Sequence, residues 1–396
     1  MNKRSRRGAV LPLLAVVAAL AGCASLPAGT RATTAGTHAS PAASHLATVT
    51  PSSRNAAAAT GALGRNGAAA WSITPNGVYV SFDAGRNFAQ VALPAAVTAP
   101  NVMAVAARAN RQIWLAAQAA GGPSFTLYAR DSATARWSQG VRLTPTWPTN
   151  LGGAEKQAGG ASIIPGGPGQ VLVLSQLQLT HSVAVPRLFV SADSGITFTQ
   201  RSIDVDSPWD SVAILGANVV GVVGELFNHV VHSGDTGATW SPAVVNDVTS
   251  GRYVAGTPVL SGTMVYLPVT EPDAKNNGVF VLLRSTDGGA TFNAAGAETL
   301  SLGGPYDENP TAVAAAGASW WLVSPTGSVY RSTDNGSSWS KAAGLLPQGV
   351  ASIGATDSQN ATVTIEQNAC TAGKTNCSSG QYFETTSDGG KTWTQT

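Results

Sequence analysis

Ser332-Thr333-Asp334-Asn335-Gly336-Ser337-Ser338-Trp339 is one of six copies of a single pattern, Ser/Thr-x-Asp-x-Gly-x-x-Trp/Phe, in this 396-residue chain. The other five are Ser81-Asp83-Gly85-Phe88, Ser191-Asp193-Gly195-Phe198, Ser233-Asp235-Gly237-Trp240, Ser285-Asp287-Gly289-Phe292 and Thr386-Asp388-Gly390-Trp393. Residue chemistry reads each copy as a tight hairpin connection. The Asp carboxylate accepts from backbone N–H groups just ahead of it, the Gly supplies a left-handed backbone position, and the Ser or Thr hydroxyl ties down the entering strand. The aromatic then faces inward as the next strand begins. Successive Asp residues are 110, 42, 52, 47 and 54 apart, so the first interval hides a copy. Ala129-Arg130-Asp131-Ser132 followed by Trp137 supplies it: the Gly is lost and one extra residue precedes the aromatic. Seven units over residues 60–396 come to about 48 residues each, the length of a four-stranded blade.

At these residues the chain resembles the Asp-box, or BNR, repeat of sialidases, xyloglucanases, sortilin-type receptors and photosystem II assembly factors. The resemblance implies an all-β fold, a single seven-bladed β-propeller of four-stranded antiparallel blades over residues 60–396. The intervening sequence agrees. It reads as short apolar strands broken by turn residues, with no helix, as in Ala70-Trp71-Ser72-Ile73 before Pro75-Asn76-Gly77 and Trp320-Trp321-Leu322-Val323 before Pro325-Thr326-Gly327. A charged fraction of 11% and 44 Gly suit sheets packed face to face in a ring.

Residues 1–22 read as a signal peptide. Lys3, Arg4, Arg6 and Arg7 precede an apolar run, Ala9 to Ala21, too short to span a bilayer. The run ends in Leu20-Ala21-Gly22-Cys23, which looks like the lipobox of bacterial lipoproteins. That resemblance implies lipidation of Cys23 and a mature protein in the bacterial cell envelope, anchored on the extracytoplasmic side of a membrane. An ordinary signal peptide with an incidental Cys is the alternative. Residues 23–59 are the lipidated Cys and an Ala/Ser/Thr/Pro tether, with an r.m.s. reach of roughly 30–36 Å as a flexible coil. Removing the four basic residues of the leader leaves 19 basic against 21 acidic, about −2, which does not indicate a nucleic-acid-binding surface.

Blade topology assigns loops to faces. With strands a to d running outward from the axis, a–b and c–d turns share one face, and b–c and d–a connections share the other. The boxes, as c–d turns, lie opposite the usual binding face, so Asp83, Asp193, Asp235, Asp287, Asp334 and Asp388 are expected to be structural. Candidate ligand-binding residues fall in the other loops: Trp147, the stretch Asp204, Asp206, Trp209 and Asp210, then Glu225, and finally Tyr306, Asp307 and Glu308. His229, Glu271 and Asp273 are placed in b–c connections on that face. Aromatics beside carboxylates suit a sugar, peptide or cation. Equally, Trp209 and Tyr306 could fill blade joints while the acids keep the rim wet.

Cys370 and Cys377, the two remaining cysteines, read as a disulfide across the last b–c connection in an oxidising compartment. No metal site and no cofactor is indicated. Sialidase-type catalysis would need an arginine triad and a Tyr nucleophile paired with Glu. Tyr306 and Glu308 are the weak candidates, the Arg-Ile-Pro motif is absent, and Arg65 sits in a loop-like Gly64-Arg65-Asn66-Gly67 context. The reading that follows is a surface-anchored, non-catalytic propeller with a monomeric head, binding a protein partner or glycan through loops at the channel mouth. A divergent sialidase-like exo-glycosidase is one alternative. A membrane-protein assembly factor is another, for which Arg108, Arg111, Arg130, Arg136 and Arg142 would form a basic patch in the second unit.

Overall fold

The computed structural model describes residues 62–66, 68–118, 124–146, 157–180, 183–202, 209–223, 229–249, 252–296, 299–306, 312–370 and 377–396. The leader, Cys23 and the tether lie outside them. Strands follow one another from Ala62 to Gln395, and the one helical piece among the described residues is a short 3-10 turn, Ala99–Asn101. Six four-stranded antiparallel sheets form, each from consecutive strands, over residues 62–91, 102–143, 157–202, 209–242, 312–345 and 350–395. The second contains the worn copy: Asp131 accepts from the N–H groups of Ala133 and Thr134 at 3.0 and 2.6 Å and still turns the chain without its Gly.

The regular four-stranded blade therefore occurs six times, not the seven expected. Residues 244–305 instead form a seven-stranded sheet. Two short strands, Val254–Ala255 and Val259–Ser261, share its inner edge against Met264–Pro272. They are split at Gly256-Thr257-Pro258, where Pro258 has no N–H for the ladder. Thr291–Ala294 and Leu300–Pro305 likewise share the outer edge of Asn277–Ser285, and Val244–Val245 adds in parallel beside Thr291–Ala294.

The inner strands pack in cyclic order: Ala62–Asn66, Val102–Ala107, Gln157–Pro165, Trp209–Leu215, Val259–Ser261, Ala312–Ala316 and Val350–Ala355, the last returning to the first. This is a β-propeller. Arg65 lies in the first of these strands, not in a loop. The apolar core is divided accordingly into seven clusters, one per joint between neighbouring sheets. Among the described residues no strand is exchanged at closure. Phe88 and Phe383 stack at 5.2 Å, Arg86 Nη2 donates to Asn360 Oδ1 at 2.6 Å, and Thr362 Oγ1 donates to the Ala84 carbonyl.

The repeated turn has the chemistry its residues imply. Ser332 Oγ donates to Asp334 Oδ1 at 2.6 Å and accepts from Gly336 N at 2.9 Å, while Asp334 Oδ1 accepts from Ser338 N at 2.9 Å. The other five copies repeat this set. The hydroxyls of Ser332 and Ser338 and the Ser338 N–H hold Asp334 at about 2. At Asp193, bonds from Thr197, Ser191 and Ile196 outweigh the opposing effect of desolvation and reach about 2 as well.

Two features of the turn escape the motif as written. The backbone is left-handed at two successive residues, φ 60° at Asn335 and 83° at Gly336, so the residue after the Asp is constrained too. The residue before the aromatic also matters: Asn87, Thr197, Thr239, Ser338 and Thr392 each donate a side-chain bond to Oδ2 of their box Asp. Gly336 has a second reason to lack a side chain, since a Cβ there would lie 2.3 Å from Leu282 Cδ2 of the preceding sheet. The box and the a–b turn share a face, as Asn335 N donating to Ala318 O and Ser194 N donating to Gly169 O show.

Candidate functional site

The mouth face is best described where the seven-stranded sheet reaches it. Asp273 caps a tight b–c turn, accepting from Lys275 N at 2.8 Å and Asn277 N at 2.7 Å. The Asn276 carbonyl then accepts from Tyr306 N at 2.8 Å, which fixes the start of the d–a connection against that turn. The Arg252 guanidinium stands over the Tyr306 ring at 5.8 Å from its centroid. Beneath them Glu271 is buried, 4% exposed, and accepts from Thr249 N at 2.8 Å and Thr249 Oγ1 at 3.2 Å. Glu271 thus belongs to a strand and holds Thr249 rather than projecting from a loop. Three separate stretches of chain converge on one aromatic–cation pair.

The other expected residues fare differently. Trp209 is 2% exposed. Its ring covers Gly221, where a Cβ would come within 2.2 Å, and meets Trp240 edge-on at 4.9 Å. Trp209 belongs to the buried cluster at the joint with the preceding sheet, as the joint-filling reading expected, and the ring is not offered to a ligand. Trp147, Asp204, Asp206, Glu225, Asp307 and Glu308 lie outside the described residues, as does the Asp210 side chain. His229 is exposed at the start of a strand. Arg187 is buried and donates Nε to the Thr146 carbonyl at 2.7 Å. The Arg patch also divides. Arg108 is spent on the carbonyls of Gly166, Gly167 and Gln170, tying sheets two and three, whereas Arg111 and Arg130 face a cleft.

Two concavities accompany these residues. An axial cavity of about 400 Å³ is walled by Ile163, Ile214, Leu260, Ala315 and Ala355, near the a–b ends of the inner strands. No side chain lining it titrates. A second cleft, of about 470 Å³, lies between the first two sheets beside Asp83 and so on the box face. No mouth loop contributes to it. Nothing in the motif signals this cleft; the clue was the run of arginines in the second unit.

No family model and no curated protein matches the chain. Among solved structures it is similar to YCF48 bound to a D1 peptide, at 14% identity and a TM-score of 0.48, covering 77% of this chain and 89% of that one. It is also similar to the GH93 α-L-arabinofuranosidase of Fusarium graminearum in complex with arabinobiose, at 13% identity and a TM-score of 0.37, covering 73% and 94%. The Niastella koreensis GH74 enzyme gives 17% identity and a TM-score of 0.29, covering 83% of this chain and 59% of that chain. At these values the similarity is one of fold. The propeller assignment itself rests on the sheets and their cyclic contacts.

Arg and Tyr side chains are enriched at the energetic centres of protein interfaces. The Arg252 guanidinium covers one face of the Tyr306 ring.

Proposed function

We propose that the chain is a non-catalytic binding propeller, held at the outer side of a bacterial membrane through Cys23, whose mouth loops dock a protein partner. The observation that carries this reading is the Arg252–Tyr306 pair, with Tyr306 tied to the Asn276 carbonyl. Such preorganisation lowers the ordering cost of association. We count the seven-stranded sheet as the seventh blade, because its split strands occupy inner and outer blade positions. The Cys370–Cys377 disulfide is part of the same reading. The backbone register pairs the two residues directly across an antiparallel ladder, a placement whose Cα separation of about 4.5–5.5 Å suits a disulfide.

A photo-crosslinking residue in place of Lys275, beside the pair, tests the proposal in intact envelopes. One discrete protein adduct that disappears in Tyr306→Ala supports it. Turnover of an aryl glycoside or sialoside by the purified head, abolished by Glu308→Ala, would instead make the chain a hydrolase.

A further inference from the structure

The cleft between the first two sheets lies on the opposite face from the mouth loops, and its chemistry differs from theirs. Arg111 projects from an a–b turn with φ 67°, and its guanidinium stands 5.9 Å from the Phe82 ring centroid. Arg130 uses Nε on the Ala135 carbonyl at 3.1 Å and keeps its two terminal nitrogens. Neither guanidinium meets a carboxylate among the described residues. The one acid in the lining, Asp83, has both oxygens engaged within its own box, by Ser81, Asn87 N and Asn87 Nδ2. Two positive charges therefore face the cleft against one saturated negative charge.

The uncharged groups narrow the ligand. Asn87 donates through Nδ2 and Gln90 through Nε2, to Asp83 and to the Asn76 carbonyl, so the carbonyl oxygens of both side chains are left as acceptors. The exposed Ser132 hydroxyl lies on the same wall as Arg130. Amide acceptors interleaved with guanidinium and hydroxyl donors match a ligand that carries many hydroxyls and a carboxylate. An extended peptide is served poorly. The free strand edge lining the cleft, Ala89–Val91, is three residues long and can extend a ladder by one or two bonds only. A volume of about 470 Å³ is in the range of a ligand site.

We infer that this cleft binds an acidic carbohydrate, a short oligosaccharide bearing uronate carboxylates, with Arg111 and Arg130 on the carboxylates and Asn87 and Gln90 on the hydroxyls. The site is independent of the mouth face. A glycan held there leaves the mouth free for a protein.

Calorimetric titration of the full chain with trigalacturonate, maltotriose and triglutamate tests it. Saturable binding of trigalacturonate is expected, at least tenfold tighter than either of the others, and weakened at least tenfold by 0.5 M NaCl through screening. The double variant Arg111→Asn, Arg130→Gln keeps a residue that tolerates the left-handed turn and should lose at least tenfold in affinity with an unchanged melting temperature. Tyr306→Ala, which disables the mouth, should leave trigalacturonate binding as it is. Absence of saturable binding, equal binding of maltotriose, tighter binding of triglutamate, or indifference to the double variant would each overturn the inference.

Discussion

Replacing Phe383 with Ala should open the propeller at one seam. Among the described residues the apolar cluster at the joint between the first and last sheets holds Ala70 and Phe383, with Phe88 packed on them, whereas the one between the second and third sheets holds twelve buried side chains. Phe383 is fully buried and stacks on Phe88 with an interplanar angle of 14°. Truncating a buried Phe to Ala costs about 3–5 kcal/mol. What remains at the closing joint is mostly polar, including the Arg86–Asn360 and Thr362–Ala84 bonds, each worth about 0.5–1.5 kcal/mol net. Since no strand crosses this joint, its loss separates two sheets without breaking either. The matched control is Phe189→Ala, whose ring meets Phe125 edge-on at 5.9 Å inside the twelve-residue cluster. Both variants should lower the melting temperature, by about 4–7 °C for a head of this size. Amide hydrogen exchange measured by mass spectrometry separates them: Phe383→Ala should raise exchange selectively in Gly77–Ser81 and Cys377–Thr386, well below the melting temperature. Equal, uniform exchange in the two variants would refute the argument that closure is the weakest joint.

The box predicts its own sensitivities. Gly336→Ala meets both a left-handed φ of 83° and the Leu282 methyl, so it should cost more than the usual 1–2 kcal/mol of a left-handed Ala, read by urea denaturation. Ser332→Ala removes a buried hydroxyl that donates once and accepts from Gly336 and Asp334, and should cost about 2–3 kcal/mol in the same assay. Asp193 and Asp334 sit at about 2 against an ordinary 3.8, so their stabilisation is complete above pH 4 and disappears as the pH falls through 2; urea midpoints should be unaffected by these groups between pH 5 and 7 and drop below pH 4. Trp209→Ala should destabilise by about 3–5 kcal/mol, and any binding lost should return in proportion to the folded fraction.

Most of the architecture was legible because the turn is over-determined. Hydroxyl, carboxylate and Gly each satisfy a separate backbone requirement, so selection on the turn leaves a fixed spelling that can be counted. The seven-stranded sheet was not legible for the converse reason. Its Asp287 box is intact, and the breaks arise at Pro258 and after Ala294, away from the residues that spell the turn. Trp209 shows the same limit for the site. An aromatic at a loop–strand boundary reads alike whether it faces solvent or covers a Gly, and only Gly221, twelve residues later on the neighbouring strand, decides it.

That irregular sheet is also where the mouth pair is built, and the two facts have one cause. A continuous outer strand would run directly from Thr291 towards the next inner strand; the split lets Leu300–Pro305 return along Asn277–Phe280 and deliver Tyr306 to the Asn276 carbonyl. The split inner edge lets Val254–Ala255 pair beside Val269 and Thr270, two residues after Arg252, while Thr249 donates to Glu271. A regular blade would hold neither segment in place. The departure from the repeat therefore has a structural product, and extending the inner strand by Pro258→Val should show it. If the added ladder bond pulls 254–261 into one strand, Arg252 moves away from Tyr306, and crosslinking from position 275 falls while the melting temperature rises or stays level. Unchanged crosslinking in a variant of unchanged stability would detach the irregular sheet from the site.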